Sequence, residues 1–224
     1  MNWLAHFVLS PSDDRARLGG WLADVLTPSE AASVSDPRVL AGIRLHREID
    51  RLTDAHPAVL GSRSRLPQGV RRYAGIVLDV AWDHFLSLRF RERVGRDLGG
   101  FVEEVHAGLL RQRPILSAEV AAVVDRMIAE SWLTCYRDAD GYELTLRRIA
   151  NRLSPRARAA FEPEAARRHL EAEHDRLEPA FERLWPDLVA LAATEGVVLP
   201  MAFGGDWHAK RPSREGSGRE PRVS

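Results

Sequence analysis

Cysteine is nearly missing from this sequence: Cys135 is the only one. That rules out an intrachain disulfide and a thiolate metal cluster, and nothing demands an oxidising compartment. Charge of one sign is missing too. The 32 basic side chains balance 32 acidic ones, so bulk charge predicts no nucleic-acid partner. No apolar run reaches the roughly 18 residues of a membrane span. The opening stretch MNWLAHFVLSPSDD is too short for a secretory signal and has no basic n-region. These absences predict a cytoplasmic protein without a membrane span. There is no P-loop, dinucleotide-binding glycine fingerprint, serine-hydrolase elbow or His-Glu-x-x-His motif. Internal repeats are absent, and the only strand-like stretch, Val197-Val198-Leu199, is too short to matter.

What is present is helical periodicity. With 224 residues and 45% apolar content, the chain has ample material for one all-α domain. Residues 2–9 read as a short apolar helix. A turn follows, and Asp13 and Asp14 favour the N-terminus of a helix over 15–26. The Gly19-Gly20 pair there permits close backbone approach. Residues 27–35 read as a loop. Asp36 and Pro37 suit the cap and first position of a helix over 37–55, ending near His56-Pro57. Residues 61–69 read as loop, and 70–93 as one long helix. Further helices are expected over 97–111, 117–135, 138–152 and 164–193, with Pro186 kinking or splitting the last. The helical domain thus covers 1–200. Residues 201–224, rich in Gly, Ser, Pro and charge, read as a disordered tail.

Polar residues interrupt the apolar faces. On helix 37–55, Val39, Ile43, His46, Asp50 and Asp54 fall within roughly 80° of arc at 100° per residue. In the next long helix, residues 76–88 contain nine apolar residues of thirteen, yet carry Asp79, Asp83 and His84. His6 interrupts WLAHFVL, and Asp24 interrupts GGWLADVL. Carboxylates in such surroundings are costly unless paired, hydrogen-bonded or bound to metal. Imidazoles with carboxylates suit a divalent ion such as Mn, Fe, Zn or Mg. The alternatives are buried salt bridges to Arg44, Arg47 or Arg51, and plain exposure. A lone histidine is more often a satisfied core residue, and a lone aspartate near a helix end is commonly a cap.

Bound metal would favour hydrolysis of a phosphate ester, with arginines such as Arg47 on the phosphoryl oxygens and a carboxylate such as Asp54 orienting or deprotonating water. A di-iron oxygenase would want paired Glu-x-x-His motifs. Glu171-Ala-Glu-His174 has no partner motif. Basic clusters at Arg63, Arg65, Arg71 and Arg72, and at Arg147, Arg148, Arg152, Arg156 and Arg158, read as solvated surface or as a docking patch for an acidic partner. Trp132 and Tyr136 read equally as channel lining or as core.

MNWLAHFVLS, GGWLADVL, GIRLHREIDRLTDAHP and LDVAWDHFLS, in that order and spacing, resemble the acyl carrier protein phosphodiesterase family. WLTCYRDADGYELTLRRIANRL and the stretch from Asp175 to Phe181, with Trp185-Pro186, are similar too. The resemblance covers about 1–195. It implies an all-helical fold distantly akin to the HD-domain metal phosphohydrolases. It implies hydrolysis of the phosphodiester joining 4′-phosphopantetheine to holo acyl carrier protein, an acidic protein substrate, and manganese as activator, with magnesium or ferrous iron as alternatives. His6, Asp24, His46, Asp50, Asp83 and His84 fall at the family's polar positions and are the implied metal set. Asp54 and Arg47 are implied as supporting or phosphate-contacting groups, and Asp79 as the carboxylate orienting His46 or His84. The literal His-Asp dipeptide of the HD signature occurs only at His174-Asp175, in a charge-rich helix that reads as solvated surface or helix packing and not as the metal pair. A small phosphoester substrate and a non-catalytic module binding acyl carrier protein are the competing readings.

Overall fold

The computed structural model describes residues 1–199, all of them helix, turn or connecting segment, with no strand among the described residues. The expected tail over 201–224 lies outside the described residues. The chain begins with α1 (Trp3–Val8) and α2 (Asp14–Val25). Asp13 caps α2, accepting from the backbone N–H of Arg15 at 3.0 Å and Ala16 at 2.9 Å. The segment over 27–35, expected as loop, contains α3 (Pro28–Ala32). Its cause is a capping box: Thr27 and Glu30 satisfy each other's backbone N–H groups. α4 (Pro37–Ala55) starts, as expected, on Asp36 and Pro37.

The expected loop over 61–69 is mostly helix. His56-Pro57 ends α4 and at once starts α5 (Pro57–Arg65), since Pro suits a first helical position and His56 Nδ1 accepts from Ala58 N–H at 3.2 Å. The expected helix over 70–93 is three: α6 (Gln68–Arg71), α7 (Ala74–Leu88) and α8 (Phe90–Val94). Neither break carries Gly or Pro. Tyr73 and Arg89, which stand at the two breaks, instead make long-range contacts. The Tyr73 hydroxyl donates to the Ala157 carbonyl at 2.9 Å, and Arg89 Nε donates to Glu178 at 3.2 Å.

α9 (Leu98–Gln112) is followed by α10 (Ala118–Ala129), which stops well short of residue 135. Ser131 adopts a left-handed φ of 51°, turning the chain through Trp132 into a short 3₁₀ segment, Cys135–Arg137. α11 (Ala139–Ala150) and α12 (Pro155–Ala160) lead into α13 (Pro163–Ala193). That last helix runs unbroken through both Pro179 and Pro186.

α7 is the central element: Trp82 and Leu86 are fully buried, and Trp82 and Phe85 both stack on Phe181 of α13. α2 and α4 meet backbone to backbone. A Cβ on Gly19 would stand 2.0 Å from the Val39 carbonyl oxygen, and one on Gly42 would stand 2.0 Å from that of Ala16. Only glycine permits this approach, and it brings the end of α2 against the middle of α4. No described helix is long and apolar enough to cross a membrane.

Candidate active site

The close crossing of α2 and α4 brings Asp24 to His46: Oδ1 lies 3.4 Å from Nε2. His46 and Asp50, four residues apart on α4, share a face, and His46 Nε2 lies 3.1 Å from Asp50 Oδ2. The other oxygen, Oδ1, lies 3.1 Å from His6 Nε2 on α1. This second contact is close but not aligned as a hydrogen bond, so His6 has no hydrogen-bond partner at either nitrogen. The two imidazoles stack, centroids 3.7 Å apart. One ligand atom from each of His6, His46 and Asp50 lies within 4.8 Å of the others.

The electrostatics of the cluster follow from burial and proximity. Burial pushes His6 down to about 4, against the pull of Asp50. Burial opposes charge on His46 as well, but Asp24 and Asp50 outweigh it and raise His46 to about 9. Burial tends to raise both carboxyls. Contact with His46 overcomes it, holding Asp24 and Asp50 below the ordinary range, with His6 helping at Asp50. The place between Asp24 and Asp50 therefore attracts positive charge. Two imidazole nitrogens and a carboxylate, with the ring nitrogens of His6 unpartnered, form a donor set that fits a divalent cation. Asp24 and Asp50 keep 38% and 41% of their side-chain surface open.

The remaining carboxylates of the polar stripe have other partners. Asp83 is fully buried and serves α1: its Oδ2 accepts from Leu4 N–H at 2.7 Å and Oδ1 from Ala5 N–H at 3.2 Å. Asn2, the local cap residue, makes no side-chain cap bond, so Asp83 of α7 caps the helix that carries His6. Burial raises the Asp83 carboxyl to about 7. Asp79, one turn earlier, accepts from the Met1 amine at 2.9 Å, and burial raises its carboxyl as well. The same amine lies 3.4 Å from Asp50 Oδ1. Thus Asp79 reaches the cluster through Met1, and not through His46 or His84.

His84 lies apart from the cluster: its Nδ1 is 2.6 Å from the Tyr136 carbonyl and its ring faces the edge of His174. Asp54 is paired with Arg63 at the surface, and Arg47 is exposed. Arg44 and Arg51 are exposed too, so the arginines of α4 do not neutralise the stripe. Of the His-Asp dipeptide, Asp175 is 88% exposed and His174 packs against the rings of Phe85 and His84, in line with surface and helix packing.

A cavity of about 280 Å³ opens beside the cluster. Its lining combines the acidic side chains of Asp24, Asp50 and Asp79 with a basic and aromatic wall of Trp3, Trp132, Arg148 and Arg152. Ile76, Val80 and Ile149 add an apolar stretch. Trp132 and Tyr136 both line the cavity, although Tyr136 is also a core residue at 1% exposure. The basic wall is the part that the periodicity of the apolar stripes missed. Its signal was the spacing of Thr145, Arg148, Ile149 and Arg152, which puts all four on one side of α11 and the turn after it.

A sequence model of the acyl carrier protein phosphodiesterase family matches residues 1–188. Two relatives, each named acyl carrier protein phosphodiesterase, come from Salmonella agona (strain SL483) and Salmonella newport (strain SL254). Each is 36% identical over 199 residues, covering 88% of this chain and 100% of the relative. No solved structure matches the chain.

Proposed function

The chain belongs to the acyl carrier protein phosphodiesterase family, and from that premise we propose that it hydrolyses the phosphodiester joining 4′-phosphopantetheine to holo acyl carrier protein, leaving the apo protein. The observation that carries this reading is the family match over residues 1–188, which spans every residue of the cluster and the cavity. With that substrate, the protein works in the cytoplasm.

We propose that His6, His46 and Asp50 hold a divalent cation, with Asp24 beside them, and that manganese is preferred over magnesium or ferrous iron. When bound, such an ion supplies Lewis-acid polarisation of phosphoryl oxygens and makes water more acidic. The chain's own residues do the rest. Asp50 keeps the two Nε2 atoms converged, one on each of its oxygens. Asp83 fixes α1, and so His6, through two backbone bonds. Asp79 takes the proton of the attacking water at Oδ2, because burial makes it more basic than an exposed carboxylate, and returns it to the serine oxygen that leaves with the apo protein. Asp54, facing solvent with Arg63, is given no proton to move. His84 and Asp83 act as supports of the site and not as ligands. The apolar stretch of Ile76, Val80 and Ile149 takes the branched apolar part of the phosphopantetheine arm.

Intact-protein mass spectrometry of holo acyl carrier protein tests the reading directly. Incubation with this protein and manganese should remove the whole phosphopantetheine mass, and chelator should prevent it. An unchanged mass with folded, manganese-supplemented protein would discard this substrate and turn the search to small phosphoesters.

A further inference from the structure

The basic wall of the cavity contains two arginines in unlike states. Arg148 is engaged on every side. Its guanidinium lies 3.2 Å from Glu130 Oε2, donates to the Glu130 carbonyl at 3.4 Å, reaches Cys135 Sγ at 3.7 Å and sits 5.4 Å above the Trp132 ring. Trp132 Nε1 donates to the same Glu130 carboxylate at 2.7 Å. Arg148 therefore braces the turn that carries Trp132. Arg152 is different. It is exposed, forms no ion pair among the described residues, and donates one hydrogen bond, to the backbone carbonyl of Asp24 at 3.2 Å. A guanidinium has five N–H donors, so most of its capacity is unspent on the protein at a residue that lines the cavity.

Its position is held nonetheless. The guanidinium sits 5.9 Å over the Trp3 ring, Trp3 stacks on Trp132 at 5.4 Å, and Trp3 Nε1 donates to Asp24 Oδ2 at 2.9 Å. One indole thus touches both the carboxylate that flanks the histidine pair and the arginine that flanks the cavity. The fixed charge lines the same cavity as Asp50 and Asp79. A monoanion with planar pairs of acceptor oxygens matches such a guanidinium better than it matches a carboxylate wall.

We propose that Arg152 is the substrate-binding residue that grips a non-bridging oxygen pair of the phosphodiester, held in place by the Trp3–Trp132 stack. This rests on the phosphodiesterase reading above and assigns a residue within that site. Arg147, its neighbour in the basic cluster, is paired with Glu143 and does not line the cavity, so it supplies bulk charge without the grip.

The probe is free 4′-phosphopantetheine, titrated calorimetrically against manganese-supplemented wild-type protein and the variants Arg152→Gln, Arg152→Lys and Arg147→Gln. A charge-assisted hydrogen-bond pair predicts a Kd at least tenfold weaker in R152Q, partial recovery in R152K, and less than a twofold change in R147Q. Thermal melting should leave R152Q folded, since its side chain is exposed. Equal affinity in R152Q and wild type, equal losses in R147Q and R152Q, or no binding by wild type would each overturn the assignment. Turnover of holo acyl carrier protein by the wild type, followed in parallel by mass, judges the phosphodiesterase reading separately: turnover with an unaltered R152Q affinity removes only the arginine, whereas binding without turnover removes only the reaction.

Discussion

The rings of His6 and His46 lie face to face, centroids 3.7 Å apart and planes within 15°. Two imidazolium cations would repel at that separation; burial pushes His6 down to about 4 while Asp24 and Asp50 raise His46 to about 9, holding a proton there that a bound cation would displace. An α1 residue and an α4 residue, forty positions apart, thereby share one carboxylate, Asp50.

Removing that carboxylate should remove the cation site. Asp50→Ala is expected to weaken manganese binding at least tenfold, measured as free ion by electron paramagnetic resonance. His6→Gln and His46→Gln should each do the same. Unchanged binding in all three variants would place the ion elsewhere.

Asp79 and Asp54 should separate cleanly. Asp79→Asn is expected to lower kcat for holo acyl carrier protein by about 10²-fold or more with little change in KM, as loss of a general base would. Asp54→Asn, changing an exposed partner of Arg63, should alter kcat less than twofold. A reversed ranking in steady-state assays would exchange their roles.

Asp83→Ala leaves two α1 backbone N–H groups without acceptors at a site that is fully buried. A loss of about 2–6 kcal/mol is expected in urea unfolding, from roughly 1–3 kcal/mol for each unsatisfied group. Manganese affinity should fall with it, because His6 rides on the same helix. A stability change below about 0.5 kcal/mol would show that Asp83 does not hold α1.

Gly42→Ala should be costly for a different reason. Its new methyl would stand 2.0 Å from a backbone carbonyl oxygen, which cannot rotate aside. Overpacking predicts a loss of about 1–3 kcal/mol, read as a lower Tm. Movement of α2 off α4 would also carry Asp24 away from His46, so manganese binding should weaken in whatever fraction stays folded.

Burial holds His84 below the ordinary histidine value. The folded chain then keeps it neutral at pH values where the unfolded chain has already protonated it. The unfolded state binds the extra proton, so this contribution to stability falls as pH drops through about 6.5. Urea midpoints between pH 7 and 5 should decline more steeply in wild type than in His84→Gln. Parallel declines would mean that His84 contributes nothing to acid sensitivity.

The helical class, most helix starts and the metal-suited residue types were legible in sequence because they depend on local chemistry. Asp36-Pro37 starts a helix whatever surrounds it, and a period of 3.6 puts His46 and Asp50 on one face. The glycine pair also announced close packing, though not against which helix. The breaks at Tyr73 and Arg89 left no local mark, since each residue's partner lies more than eighty positions away. Periodicity could place Asp50 and Asp83 in apolar surroundings alike. It could not say that one carboxylate would face two histidines and the other two backbone amides. That difference depends on which helix end arrives opposite each carboxylate. The Gly19–Gly42 crossing, the docking of α1 on α7 and the turn at Ser131 decide it, through backbone approach and long-range hydrogen bonds that no single stretch of sequence contains.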